Sequence, residues 1–404
     1  MGALATLLAA GLLASQVTAS PFAVGEVNTN LMSNIEARAF NASAGSGPYG
    51  LDNVLCQDVT LQAQANSNNV AFVNVDDNYS NATYISQQIL DYTTAMSNWT
   101  AEHMPTMKTT PQNASYRITG HYCTPIRNAK SNSSLIVAVH GVGFDSSYWN
   151  FAYKPSYSFV RHAASYGYST FIYDRLGCGS SDAPAKGGFS AMQAPTEVAV
   201  LQNILTQLRS SKVVGNKIHT NITLMGHSYG SVQAQAISAK FPNLIQGLVL
   251  TGFSTNSSNT AAFFQSGTYT IANQVADLPQ LKTRPDIWLG TASAISDLEL
   301  FFDPPNYDQG AFELARQTAQ PVTLGSLFSI GAVGGVAQNY SGPVYVIDGS
   351  RDFPFCERNC YAPAPSGGNQ ADAVKMLYPT AKNFTTYIIP ETGHGIGECI
   401  FVER

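Results

Sequence analysis

The sequence predicts an α/β fold: a mostly parallel central sheet with helices on both faces and a largely helical cap inserted into it. Three observations carry that prediction. Short apolar runs recur along the chain, and Leu135-Ile136-Val137-Ala138-Val139 is apolar throughout, the pattern of a parallel strand covered on both faces. Amphipathic segments separate the runs, as in Glu197 to Leu208, where Val198, Leu201, Leu205 and Leu208 share a broad face. Residues able to do chemistry follow on strand after strand: His140-Gly141, Asp174-Arg175, Ser228, Gly252-Phe253, Asp352 and His394. In open sheets of this kind a ligand approaches the carboxyl ends of the strands.

Taken in order, residues 1–19 read as a secretory signal peptide, with an apolar segment from Ala3 to Ala14 and a small-residue cleavage site at Val17-Thr18-Ala19. That segment is too short to cross a bilayer, and no later one supplies an integral membrane span. Residues 20–115 are polar and rich in Asn and Ser, and read as an N-terminal segment wrapping the main domain. Residues 116–253 form the first part of the core. Its strands are expected at Tyr116 to Tyr122, Leu135 to Val139, Thr170 to Tyr173, Ile222 to Met225 and Leu248 to Thr251. Helices are expected at Tyr157 to Ser165, Glu197 to Leu208 and Ser231 to Lys240. Residues 254–335 break the alternation with Phe263-Phe264, Ile287-Trp288-Leu289 and Phe301-Phe302, and read as the cap. Residues 336–404 complete the core with strands at Val344 to Ile347 and Thr386 to Ile389.

Composition narrows the function. A formal net charge of -5, with no basic patch interleaved with aromatics, excludes a nucleic-acid footprint. Ten Asn-x-Ser/Thr triplets, at Asn41, Asn78, Asn81, Asn98, Asn113, Asn132, Asn221, Asn256, Asn339 and Asn383, fit a secreted, extracellular glycoprotein. Asn221 is the least favourable of them, at the entrance to a buried strand. Six cysteines suit an oxidising compartment. No spacing of His, Asp, Glu or Cys suggests a metal site and no glycine loop suggests a phosphate, so neither metal nor cofactor is expected.

Gly226-His227-Ser228-Tyr229-Gly230 is the sharpest motif. It places a serine on the tight turn between a buried strand and a helix, with small residues where the backbone is crowded. A serine hydroxyl needs a base, and His394, in the turn after the last strand, is the candidate. Asp352, a short loop beyond Val344 to Ile347, is the candidate to orient the imidazole, with Asp348 as rival. The backbone N–H groups of Tyr229 and Val142 are the candidate oxyanion donors, with Gly143 the alternative to Val142. His227 reads as a packing residue, His140 as a support for its loop, and Asp174 with Arg175 as an ion pair near the pocket.

With these motifs the chain resembles the α/β-hydrolase superfamily over residues 117–404. The likeness is carried by His140-Gly141-Val142-Gly143, the loop Asp174 to Asp182, the Ser228 turn, Asp352 and His394. It is most similar to a secreted fungal serine-hydrolase branch in which Tyr148-Trp149 and the Asp174 to Asp182 loop recur around the pocket. The resemblance implies an eight-stranded core with the cap between its sixth and seventh strands, and acyl transfer from a carboxylic ester or lactone through Ser228. Serine at position 228 disfavours the relatives that use an aspartate nucleophile. The cysteines allow fifteen pairings. Cys56 with Cys123 would fasten the N-terminal segment to the core. Cys356 can pair locally with Cys360, which the resemblance favours, or the loop can be bridged to Cys399; Cys178 and Cys399 then remain, paired or free.

The expected function is therefore that of a secreted serine hydrolase acting on a small-molecule ester or lactone, with the aromatic cap favouring an apolar or mixed substrate. Amide or peptide hydrolysis and haloperoxidase-like chemistry are alternatives on the same framework. A noncatalytic glycosylated binding protein is the alternative of another class.

Overall fold

A computed structural model describes residues 49–104, 108–130 and 134–397. The expected leader, Asn41, Asn132 and Cys399 lie outside them.

Eight strands form the main sheet: β1 (Val54–Val70), β2 (Thr109–Pro125), β3 (Leu135–Val139), β4 (Thr170–Tyr173), β5 (Ile222–His227), β6 (Gly247–Thr251), then, beyond the insertion, β9 (Val344–Gly349) and β10 (Phe384–Ile389). Their order is β1-β2-β4-β3-β5-β6-β9-β10. The β1–β2 and β2–β4 pairs are antiparallel and all others parallel. Strands β3 and β4, apolar in sequence, are almost wholly buried, as a doubly covered sheet requires.

Helices flank the sheet and fill its crossovers. α1 (Ala82–Thr93) and α2 (Trp99–His103) lie between β1 and β2, and α3 (Phe159–Ser165), α4 (Ala194–Ser210) and α5 (Tyr229–Lys240) follow within the core. The insertion between β6 and β9 is the cap. It holds α6 (Thr260–Ser266), α7 (Ala294–Phe301), α8 (Gln309–Gln317) and α9 (Leu324–Phe328), with a small antiparallel ribbon of β7 (Thr270–Ile271) and β8 (Leu289–Gly290). Last comes α10 (Phe353–Cys356), whose amino terminus is capped by Asp352. None of the described helices is long and apolar enough to cross a membrane.

The N-terminal part departs most from the sequence expectation. The early strand runs from Thr109 rather than Tyr116, and residues 54–70, within the expected wrapping segment, form the edge strand beside it along 17 paired positions. Along its middle, buried Leu61, Ala63 and Ala65 alternate with exposed Gln62, Gln64 and Asn66, and Asn69 and Val70 are buried at its end. Two small alanines make the inward face too faint to stand out in an Asn-rich stretch. α4 packs against this strand. The Gln64 amide donates to Asn203 Oδ1 at 3.1 Å, and Gln207 Nε2 donates to the Gln62 carbonyl at 2.8 Å, so part of the open edge is covered. The Cys56–Cys123 disulfide joins directly paired residues of β1 and β2.

Candidate active site

The parallel register sets the candidate residues at one level. Val139 pairs with Gly226 and with Tyr173, His227 with Thr251, and Thr251 with Ile347. The residues just after these ends therefore gather at one edge. Ser228 leaves β5 with φ 56° and ψ -119°, a left-handed conformation that L side chains rarely adopt, and α5 starts at the next residue. Its amide donates to the Thr251 carbonyl at 2.9 Å, which pins the turn to β6. The flanking glycines are required by close approach: a side-chain carbon at Gly230 would fall 2.1 Å from the Val139 carbonyl oxygen, and one at Gly226 would fall 2.4 Å from that of Gly230.

Asp352 and His394 meet from the loops after β9 and β10. The His394 Nδ1–H donates to Asp352 Oδ2 at 2.5 Å, with both side chains fully buried. The other carboxylate oxygen of Asp352 accepts the Phe355 amide at 2.8 Å, so the short helix holds the acid in place. Nε2 of His394 has no hydrogen-bond partner among the described residues. The rival Asp348 is also fully buried but turns elsewhere, accepting the Phe253 amide at 2.7 Å. Burial, reinforced by nearby Asp352, pushes its carboxyl well above the usual carboxylate range.

The two imidazoles of this edge are neighbours: the rings of His227 and His394 lie 4.8 Å apart, and a side chain at Gly252 would fall 2.9 Å from both. This places His394 beside the residue that precedes Ser228. Tyr148 stacks on His227 at 4.4 Å and 13°, and His227 Nδ1 is 3.1 Å from Thr251 Oγ1. Burial, with lesser contributions from His394 and His140, holds His227 well below the ordinary imidazole value.

Beneath the serine turn lies a buried polar network. Arg175 Nη1 donates to Glu197 Oε2 at 2.5 Å, and Arg175 Nη2 donates to the Gly141 carbonyl at 3.0 Å. Glu197 also accepts from Tyr229 Oη, Ser326 Oγ and Gln233 Nε2. His140 accepts the Arg175 amide on Nε2 and donates from Nδ1 to the Gly141 carbonyl, each at 3.0 Å. Burial and then the Arg175 cation keep His140 well below the ordinary value. The sequence expectation that Asp174 and Arg175 pair is corrected here. Asp174 instead accepts from Ser146, Thr119 and Ser180, tying its loop together, while Arg175 turns to Glu197, a helix residue whose role no motif announces.

The cap closes the site. Phe301, at the end of α7, lies 4.9 Å from Phe144 and 6.2 Å from the His394 ring, and its carbonyl accepts the Gly395 amide at 2.7 Å. Phe355 lies 5.8 Å from His394 on another side. Ser228 is 5 % exposed. From the cap's other end, the Gln320 amide donates to the Gly143 carbonyl and its side-chain amide donates to Asp145. Spacing gave no sign of these aromatic and cap contacts, because they join segments distant in the chain.

The cysteines resolve in part. Cys356 pairs with Cys360, and Cys178 carries a buried free thiol whose pKa burial pushes up to about 12. Asp348, Cys356 and Cys360 are the grouping of possible metal-ligand atoms among the described residues, within 4.8 Å of one another, but both sulfurs are consumed in the disulfide. Of the described Asn-x-Ser/Thr sites, Asn256 is half-buried and the rest, Asn221 included, are exposed.

Comparison with known proteins agrees with this architecture. Residues 136–404, about two thirds of the chain, match the model of the alpha/beta hydrolase family, and the chain belongs to that family. A curated relative, proline iminopeptidase of Saccharolobus solfataricus, is 33% identical over 87 residues, which is 22% of this chain. The chain spans only 25% of the length of that relative. Solved structures that resemble it include a thermophilic esterase from Thermogutta terrifontis, at 13% identity and TM-score 0.46, covering 70% of this chain and 88% of the other. Another is the enol-lactonase from Burkholderia xenovorans LB400, at 14% identity and TM-score 0.45, covering 69% and 90%. The assignment rests on the family match and the strand order, and these distant likenesses add nothing to it.

Proposed function

We propose that this chain is a secreted serine hydrolase that cleaves a small carboxylic ester or lactone through an acyl-enzyme. One observation carries the reading: the strained Ser228 turn shares its strand edge with a buried Asp352–His394 pair whose Nε2 has no partner among the described residues. His394 takes the Ser228 proton as Oγ attacks the acyl carbon, and the carbonyl electrons move to its oxygen. The N–H groups of Val142 and Tyr229 hold that oxyanion. His394 then returns the proton to the leaving alkoxide, giving the alcohol and acyl-Ser228. Water, deprotonated by His394, releases the acid and restores the serine. Asp352 keeps the proton on Nδ1 and stabilises the imidazolium.

Phe144, Tyr148, Phe301 and Phe355 beside the two imidazoles favour an apolar acyl or alkyl group over a charged one. Secretion is supported by two disulfides, exposed Asn-x-Ser/Thr sites and the composition of residues 1–19. Likeness to the fungal branch, through Tyr148-Trp149 and the loop Asp174 to Asp182, is part of the same proposal. The test is covalent labelling by a fluorophosphonate, followed by a panel of esters and lactones, with Ser228→Ala as background. Labelling and turnover lost in the variant support the reading; equal turnover by both proteins ends it.

A further inference from the structure

The candidate oxyanion donor Val142 belongs to the same peptide unit as the Gly141 carbonyl, and that carbonyl is held from the other side. It accepts the Arg175 guanidinium and the His140 Nδ1–H, each at 3.0 Å. Val142 N–H itself makes no hydrogen bond to another described residue. We propose that Arg175 is a positioning residue for the oxyanion hole, acting through the Gly141–Val142 peptide. The inference rests on the serine-hydrolase reading above and adds a role for a residue that touches neither substrate nor Ser228.

The physical argument is amide resonance. A cation bonded to the carbonyl oxygen draws density from the amide nitrogen, so the N–H on the far side becomes a stronger donor. In a dry interior this polarisation is not screened by water. Two donors on one oxygen also fix the plane of the peptide, and therefore the direction of the Val142 N–H. The same ion pair reaches the second donor's residue. Arg175 lies 4.7 Å from the Tyr229 ring, and the Tyr229 hydroxyl donates to Glu197 at 3.1 Å. A salt bridge needed only for packing has no reason to be built against both donor residues.

The experiment uses the whole protein and reads fluorophosphonate labelling of Ser228, separated into the maximal rate and the concentration for half-maximal rate. It is paired with inhibition by an alkyl trifluoromethyl ketone, whose serine adduct carries an oxyanion. Arg175→Met with Glu197→Gln removes both charges without leaving one alone in the interior. In that double variant the maximal rate falls about tenfold or more, the half-saturating concentration stays within about twofold, and ketone inhibition weakens by the same factor as the rate. A double variant that folds cooperatively and labels at the parent rate overturns the proposal, as does one that slows without losing ketone affinity. Should it not fold, Arg175→Lys decides: the shorter cation cannot serve both Glu197 and Gly141, so unchanged labelling and ketone affinity overturn the proposal. A parent protein that does not label at all defeats the serine-hydrolase reading first, and this inference with it.

Discussion

Asp352 and His394 share a 2.5 Å hydrogen bond from which solvent is excluded on both sides, whereas Asp348, four residues earlier on the same strand end, makes its contact to the Phe253 amide instead. The two acids therefore predict opposite outcomes. Asp352→Asn keeps the shape but not the charge, and ester turnover should fall by about 10³–10⁴ in kcat. Asp348→Asn should stay within about tenfold of the parent. Steady-state kinetics on one ester, with both variants shown to be folded, separates them, and a reversed order would transfer the acid's role to Asp348.

The backbone at Ser228 predicts a trade of stability for activity. With φ 56° and ψ -119°, the serine pays a conformational cost that glycine avoids. Ser228→Gly should raise the unfolding free energy by about 1 kcal/mol in denaturant titration, while Ser228→Ala should not. Both should lose turnover. A glycine variant no more stable than the alanine variant would mean that the turn relaxes without cost.

Asp348 predicts a pH dependence of stability. Its native proton affinity is raised, by burial first and by Asp352 second, above the ordinary carboxylate value of 3.8. The folded state therefore binds a proton that the unfolded chain releases. The contribution is fully present below that ordinary value and is lost as pH rises through the native one, with a slope approaching ~1.4 kcal/mol per pH unit. Asp348→Asn removes this loss. Denaturant unfolding from pH 4 upward should show the variant gaining on the parent as pH rises; parallel curves would place the native titration at the ordinary value.

The disulfide between Cys56 and Cys123 closes a separation of 67 residues. Replacing both cysteines with alanine should lower stability by about 2–4 kcal/mol, the lower figure applying where the paired strands persist in the unfolded ensemble. Replacing Cys356 and Cys360, which close a separation of only 4, should cost about 2 kcal/mol or less. Denaturant midpoints rank the two, and the reverse ranking would show that the short bridge does more for the Asp352 loop than chain entropy implies.

What could be read from the sequence divides along physical lines. Strands β3 and β4 were legible to the residue, because burial on both faces demands an unbroken apolar run. The expected helix at Glu197 to Leu208 is longer at both ends in the structure, Ala194–Ser210, since end turns carry less of the apolar stripe. Strand β1 escaped because Ala63 and Ala65 bury little area and the opposite face is polar. At the site, Ser228, Asp352 and His394 stood out because each follows a strand and has a specific chemical type. Glu197 did not: a carboxylate on an amphipathic helix looks like any solvated charge until the fold brings Arg175 against it. Phe301 was visible as part of the cap, but its approach to His394 depends on tertiary packing alone.

The covalent tie between β1 and β2 also governs what a protease could reveal. Cys56 lies before the stretch 71–108 and Cys123 after it, so a single cut within that stretch leaves the two fragments bonded. Nicked material would migrate as intact chain on a gel run without thiol and separate into two bands only after reduction. Preparations judged homogeneous by the first gel alone would hide such damage while the sheet still held its edge.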